Sequence, residues 1–163
     1  MKNQYKSSKL AIILGFYNGN EYIIPQIESI LNQTYKNIDI FIFDDNSTKD
    51  IDLIKNYLNK KCQINIKVVR RENNIGYARN FLKGLKEVGE KYDFYAFCDQ
   101  DDIWEIDKIE KAINSFKSED DKNPILYFSR TAYYSLDCLN EIGSSRIFKK
   151  PKTFSNALLQ NIA

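Results

Sequence analysis

LAIILGFYNGNEYIIPQIESILNQTYKNIDIFIFDDNST, residues 10–48, decides the fold. It opens with an apolar run, Leu10 to Leu14, which the turn-rich GFYNGN closes. From about Glu21 to Gln33 the residues Ile23, Ile27, Ile30 and Leu31 recur at helical spacing, and Pro25 falls in the first turn, where a missing N–H is tolerated. A second apolar run, Ile38 to Phe43, ends at DDNST. Strand, helix and strand joined by short links make a βαβ unit, which implies parallel strands.

The alternation continues. A helix from about Asp50 to Lys60, capped by Ser47 or Thr48, leads to a strand from Ile64 to Val69. After RRENNIG, a helix from about Tyr77 to Val88 is expected to bury Ala78, Phe81, Leu82, Leu85 and Val88. Tyr92 to Cys98 reads as a fourth, buried strand, and a later helix carries Ile109, Ala112, Ile113 and Phe116 on one face. SEDDKNP reads as a solvated loop, and PKTFSNALLQNIA as a helix or loop cut off in mid-element. Between them, ILYFS and TAYYSL are strand-like runs too close together for a crossover helix, so an antiparallel or mixed edge is expected there. The fold class is α/β, a mostly parallel sheet flanked by helices, with residues 1–8 expected to be disordered.

With 163 residues, 43% of them hydrophobic, the chain suits one domain with a sizeable core. A formal charge of +2 and the lack of any strongly basic stretch argue against nucleic acid as a partner. Cys62, Cys98 and Cys138 have neither disulfide-framework nor zinc spacing, which fits a reducing, cytoplasmic setting. No segment approaches the roughly 20 apolar residues of a membrane helix, although a membrane-surface role stays open. There is no histidine, so acid-base or metal chemistry must use carboxylates.

In an open α/β sheet, ligands bind beyond the carboxyl ends of the strands. Three loops at such ends carry unusual chemistry: Gly15 to Asn20, Asp44 to Ser47, and Asp99 to Asp102. DDNST can cap a helix, or its carboxylates can bind a nucleoside. An aromatic residue of GFYNGN, Phe16 or Tyr17, can stack a base or plug the core. The third loop is the most informative, with three aspartates in FCDQDDIW, residues 97–104. In extended backbone Asp99 and Asp101 point the same way, while Gln100 and Asp102 point elsewhere. A helix cap at Asp101 or Asp102 explains one aspartate and not three. Two close carboxylates favour a cation, and Mg2+ or Mn2+ bound by one or two carboxylates plus phosphates suits so sparse a motif. Arg79 reads as an exposed charge or as a phosphate contact, and spacing does not choose between them.

Together, LAIILGFYNGNEYIIPQIESILNQTYKNIDIFIFDDNSTKD, RENNIGYARNFLKGL and DFYAFCDQDDIWEIDKIEKAI resemble a family-2 glycosyltransferase of the Rossmann-like GT-A fold, over roughly residues 9–115. FCDQDDIW followed by Lys108 resembles the branch of rhamnosyltransferases and related cell-surface polysaccharide enzymes. The resemblance implies a nucleotide-diphosphate sugar donor (UDP-, dTDP- or GDP-linked), a glycan or lipid-linked acceptor, Mn2+ or Mg2+, inverting transfer, and a place at the inner face of the plasma membrane. It puts Tyr17, Asn18, Glu21 and Asp45 at the nucleoside, Asn74, Gly76 and Arg79 on the nucleotide side, and the DxD pair at the metal, with Asp99 facing the ribose or the metal and Asp101 coordinating the metal on the sugar diphosphate. Asp44 would support its loop, and Asp102 and Trp104 would line the sugar side or brace the loop.

The catalytic base belongs to a downstream acidic segment in that family. Nothing after Arg130 matches it, and Asp137 and Glu141 stand in no motif. The base is therefore expected beyond Ala163, with residues 9–163 a truncated donor-binding portion. The rival expectation is a non-catalytic module of a polysaccharide-synthesis complex. A phosphotransfer receiver would need its acidic pair after the first strand, and a haloacid-type phosphatase an aspartate on that strand; neither is present.

Overall fold

The computed structural model describes residues 7–48, 51–61, 64–116, 125–135 and 140–146. The elements in chain order are β1 (Leu10–Phe16), α1 (Ile23–Leu31), β2 (Ile38–Asp44), α2 (Asp52–Lys61), β3 (Asn65–Arg70), α3 (Tyr77–Val88), β4 (Phe94–Cys98), α4 (Lys108–Phe116), β5 (Ala132–Tyr134) and β6 (Glu141–Ser144). Strands β1 to β4 form a sheet in the order β3-β2-β1-β4, every pair parallel, with Ile12 level with Ile40 and Ala96. Strand β5 pairs antiparallel with β6 in a sheet of their own. The chain divides into two compact units, Met1–Ile113 and Asn114–Ala163.

Central position in the sheet explains the continuous apolar runs of β1 and β2, which are covered on both faces. On one face Leu10, Ile12, Leu14, Ile40 and Ile42 pack with Ile23, Ile27 and Ile30 of α1 and with Ile54 of α2. The other face is smaller: Ala11, Ile13 and Phe43 meet Val88, Phe81 and Leu85 of α3. All four parallel strands thus end on the same side, and their following loops gather there.

Several sequence expectations need correction. Helix α2 begins at Asp52, too late for Ser47 or Thr48 to cap it; Ser47 donates to Asp44 and accepts the Asn18 N–H, and Thr48 donates to Asn18 Oδ1. On α3 the expected core residues Ala78 and Leu82 are exposed, because the helix lays the stripe Asn80, Gly84 and Val88 on the sheet, and positions 78 and 82 point away from it. Among the described residues β4 is an edge strand rather than a fully buried one. Phe94, Ala96 and Cys98 face the core, whereas Tyr95 and Phe97 stay 37% and 52% exposed. Residues 125–130, which include ILYFS, are not a strand, and the antiparallel partner of β5 is Glu141–Ser144. The expectations for residues 1–6, SEDDKNP and PKTFSNALLQNIA lie outside the described residues.

Candidate functional site

A cleft of about 430 Å³ lies at the carboxyl ends of the parallel strands. Phe16 and Tyr17 line it from β1, Asp45 from β2, Asn74, Gly76, Tyr77 and Asn80 from the segment joining β3 to α3, and Asp99, Gln100 and Asp101 from β4. The volume is in the range of small-molecule sites. Of the residues singled out in the sequence, Tyr17, Asp45, Asn74, Gly76, Asp99 and Asp101 come together here. Asn18 lies in the same loop but outside the lining, and Glu21 and Arg79 are exposed outside it.

The loop after β2 is bound tightly into the protein. Asp44 accepts hydrogen bonds from the N–H and hydroxyl of Ser47 and lies 3.5 Å from Nε of Arg70. Ser47 Oγ in turn accepts the N–H of Asn18, and Asn18 Oδ1 accepts the N–H and hydroxyl of Thr48. These bonds hold Asn18 at φ 52, a left-handed conformation that asparagine tolerates better than most residues. Asp45 is buried, and its two oxygens accept the N–H groups of Ile75 and Gly76, each at 2.8 Å. Gly76 has φ 82, so glycine is needed there for its backbone, and Asn74 Oδ1 also receives its N–H.

The loop after β4 has the opposite character. Among the described residues no hydrogen bond or ion pair engages the carboxylates of Asp99, Asp101 and Asp102. Burial, then the neighbouring charges of Asp102 and Asp101, push the Asp99 carboxyl above its ordinary range. Asp102 is raised likewise by burial and Asp101, with Lys108 opposing. Asp102 is therefore a member of the acidic group. It caps no helix, since α4 starts only at Lys108, and the same holds for Asp101.

Beneath this acidic loop, α1 and the turn that follows it direct a polar ladder toward the backbone. Ser29 Oγ accepts the N–H of Trp104 and donates to the carbonyl of Gln26. Gln33 donates to the carbonyl of Glu105 and accepts the N–H of Ile109. Gln26 donates to Cys98 Sγ at 2.7 Å, and burial pushes that thiol strongly up. Trp104 is buried in the core, with Lys108 over its ring at 5.2 Å, so it braces the loop from below. An irregular segment is thereby held without help from its own carboxylates.

The donor set tests whether a divalent cation fits. Asp99 and Asp101 offer oxygen ligands only, and their mutual repulsion would be relieved by positive charge. Among the described residues no group of three or more His, Cys, Asp or Glu side chains could hold a metal alone. The residues fit a cation whose remaining ligands come from a bound diphosphate and water.

Tyr77, Asn80, Phe81 and Gln100 line the cleft without having been singled out as site residues by the sequence, and Asn80 and Gln100 are fixed there by hydrogen bonds. Asn80 is buried, donates to the carbonyl of Phe43 and accepts Nε of Arg71, whose guanidinium also binds Glu87 and lies over the Phe43 ring. An asparagine on the sheet-facing side of α3 was its signal. Gln100 accepts the N–H of Tyr17 at 2.7 Å, a contact 83 residues apart in sequence that no spacing announces.

Residues 11–150 match the family described as Glycosyl transferase family 2. An uncharacterized glycosyltransferase of Rickettsia prowazekii is 34% identical over 128 residues, which is 78% of this chain and 38% of the relative. The dTDP-rhamnosyl transferase RfbG of Shigella flexneri is 40% identical over 100 residues, 60% of this chain and 35% of the relative. The chain thus spans well under half the length of these relatives. Among solved structures, S. aureus TarS 1-349 in complex with UDP-GlcNAc superimposes with a TM-score of 0.58 at 26% identity, covering 67% of this chain and 31% of that one. A mannosyltransferase of Pyrobaculum calidifontis in complex with GDP-Man and Mn2+ reaches 0.62 at 17% identity, covering 67% and 32%, a likeness of fold alone. No helix among the described residues is long and apolar enough to cross a membrane. With residues 11–150 matched by one family and relatives above 30% identity along most of its length, the chain belongs to glycosyl transferase family 2.

Proposed function

We propose that this chain is the donor-binding part of an inverting glycosyltransferase that takes a sugar from a nucleoside diphosphate sugar. The observation that carries the reading is a cleft in which the β1, β2 and β3 loops meet β4-loop carboxylates that no hydrogen bond or ion pair engages among the described residues. Solved structures of similar fold add support: one holds UDP-GlcNAc, another GDP-Man with Mn2+.

On this reading Tyr17 and the loop that Asp45 pins at Ile75 and Gly76 cradle the nucleoside end. Asn18 acts through loop shape, since its side-chain oxygen is already engaged by Thr48. Asp99 and Asp101 would hold Mn2+ or Mg2+, which when bound offsets the negative charge developing on a departing diphosphate. Trp104 and the α1 ladder keep the acidic loop in place while its carboxylates stay available. Glu21 and Arg79 are exposed beyond the cleft lining and would act at its margin. The donor is assigned as UDP-, dTDP- or GDP-linked, the acceptor as a glycan or lipid-linked sugar of a cell-surface polysaccharide, and the place of action as the cytoplasmic face of the membrane.

A thermal-shift and calorimetry panel of UDP-, dTDP- and GDP-sugars, with and without Mn2+, tests the reading. One nucleotide class should raise the melting temperature, and Mn2+ should deepen that rise. If no nucleotide stabilises the chain under either condition, the donor-binding reading fails and a scaffolding module takes its place.

A further inference from the structure

We infer that Gln100, the residue between the two cleft aspartates, is a positioning residue that sets the β1 loop for the nucleoside. The inference rests on the donor-binding reading. Strand β1 lies between β2 and β4, so its loop has a neighbour on each side. Toward β2 it is fastened by the bonds among Asn18, Ser47 and Thr48. Toward β4 the fastening is Gln100, whose Oε1 accepts the Tyr17 N–H at 2.7 Å.

The fit of the carboxamide is close. A Cβ placed on Gly19 would meet the Cδ, Nε2 and Oε1 atoms of Gln100 at 2.4, 2.5 and 2.6 Å. Gly19 is not among the residues with positive φ, so a Cβ there would act on the site by displacing the Gln100 carboxamide rather than by straining the backbone. The Gln100 side chain therefore lies against the backbone of Tyr17 and Gly19 together. Tyr17 is 44% exposed, so the bond holds in place a backbone whose side chain lines the cleft. Asp99, Gln100 and Asp101 all line the cleft, and of the three it is Gln100 whose side chain bonds the β1 loop.

The test uses the full chain and three variants, Gln100→Met, Gln100→Glu and Gly19→Ala. Gln100→Met keeps length and removes the acceptor, whereas Gln100→Glu keeps an acceptor oxygen. In the absence of any ligand, amide hydrogen exchange at Tyr17 should quicken about five- to tenfold in Gln100→Met and remain near the parent rate in Gln100→Glu. Binding of UDP, dTDP or GDP without metal should weaken by about the same factor in Gln100→Met and Gly19→Ala, and be restored in Gln100→Glu. Unchanged Tyr17 exchange in Gln100→Met overturns the inference. Faster exchange with unchanged nucleotide affinity overturns the positioning role as well. If the parent binds no nucleotide, the donor-binding reading fails, and the exchange rates still decide whether Gln100 holds the loop.

Discussion

The amino end of β2 and the carboxyl end of β4 treat negative charge in opposite ways. At the amino end, Asp39 opens β2 and is fully provided for: Lys9 Nζ and the Tyr92 hydroxyl each lie 2.6 Å from its Oδ2. Burial pushes this carboxyl up, yet the bonds from Lys9 and Tyr92 prevail and hold it below the usual carboxylate range. At the carboxyl end of β4, Asp99 is raised by burial and by the charges of Asp102 and Asp101, and Asp102 by burial and the charge of Asp101. Asp39 is tied into the fold, whereas among the described residues the carboxylates of the β4 loop have no hydrogen-bond or ion-pair partner.

Asp39→Ala should show the largest effect on the stability side of this comparison. It leaves the half-buried Tyr92 hydroxyl without its acceptor, so unfolding free energy should fall by about 2–3 kcal/mol, and the melting temperature by roughly 4–10 °C. Nucleotide affinity should not change, because Asp39 lies at the far end of its strand. A loss below about 0.5 kcal/mol, within the scatter of ordinary surface substitutions, would break the contrast.

Asp101→Ala should do the reverse. The Mn2+-dependent gain in nucleotide affinity should drop about tenfold or more, while the melting temperature stays within about 1 °C of the parent. Metal-dependent affinity equal to the parent's would remove Asp101 from the site.

Tyr92→Phe sharpens the amino end, with a cost of about 1 kcal/mol near neutral pH. Burial first, and then the bond to Asp39, push the Tyr92 hydroxyl up to about 12. Its neutral form is favoured in the folded state, so its contribution is complete below the unfolded value of about 10 and is lost as pH rises toward 12. The parent should therefore lose stability across that alkaline window more steeply than the variant. Asp39 runs the other way: its contribution is present above the ordinary carboxylate range and disappears as acid protonates it. Equal slopes in parent and variant above pH 10 would contradict the assignment.

The smallest effect belongs to Asp102→Asn. Removing one of several crowded charges should raise the metal-free melting temperature by about 1–3 °C. A fall of similar size would mean that Asp102 makes a stabilising contact.

Much of the scaffold was legible because its signals are local. Apolar runs marked β1 to β4 within one or two residues, and α3 was read at its observed bounds. The start of α2 was misread because Ser47 and Thr48, ordinary capping residues, are drawn away by Asp44 and Asn18. Ala78 and Leu82 were misread because helical spacing shows which residues share a face, and packing chooses the face. At the site, Asp99 and Asp101 stood out by composition, whereas nothing in residues 44–48 showed that Asp45 would bind the backbone of Ile75 and Gly76.

The sequence by itself determined a parallel α/β sheet with acidic loops at its carboxyl end, since periodicity and strand direction are carried by neighbouring residues. Only the tertiary structure decided which carboxylates are engaged and which stay available. That choice depends on partners far along the chain: Asp45 is 31 residues from Gly76, and Tyr17 is 83 from Gln100. Hydrogen bonds of this reach exist only once the strands are paired and their loops lie side by side.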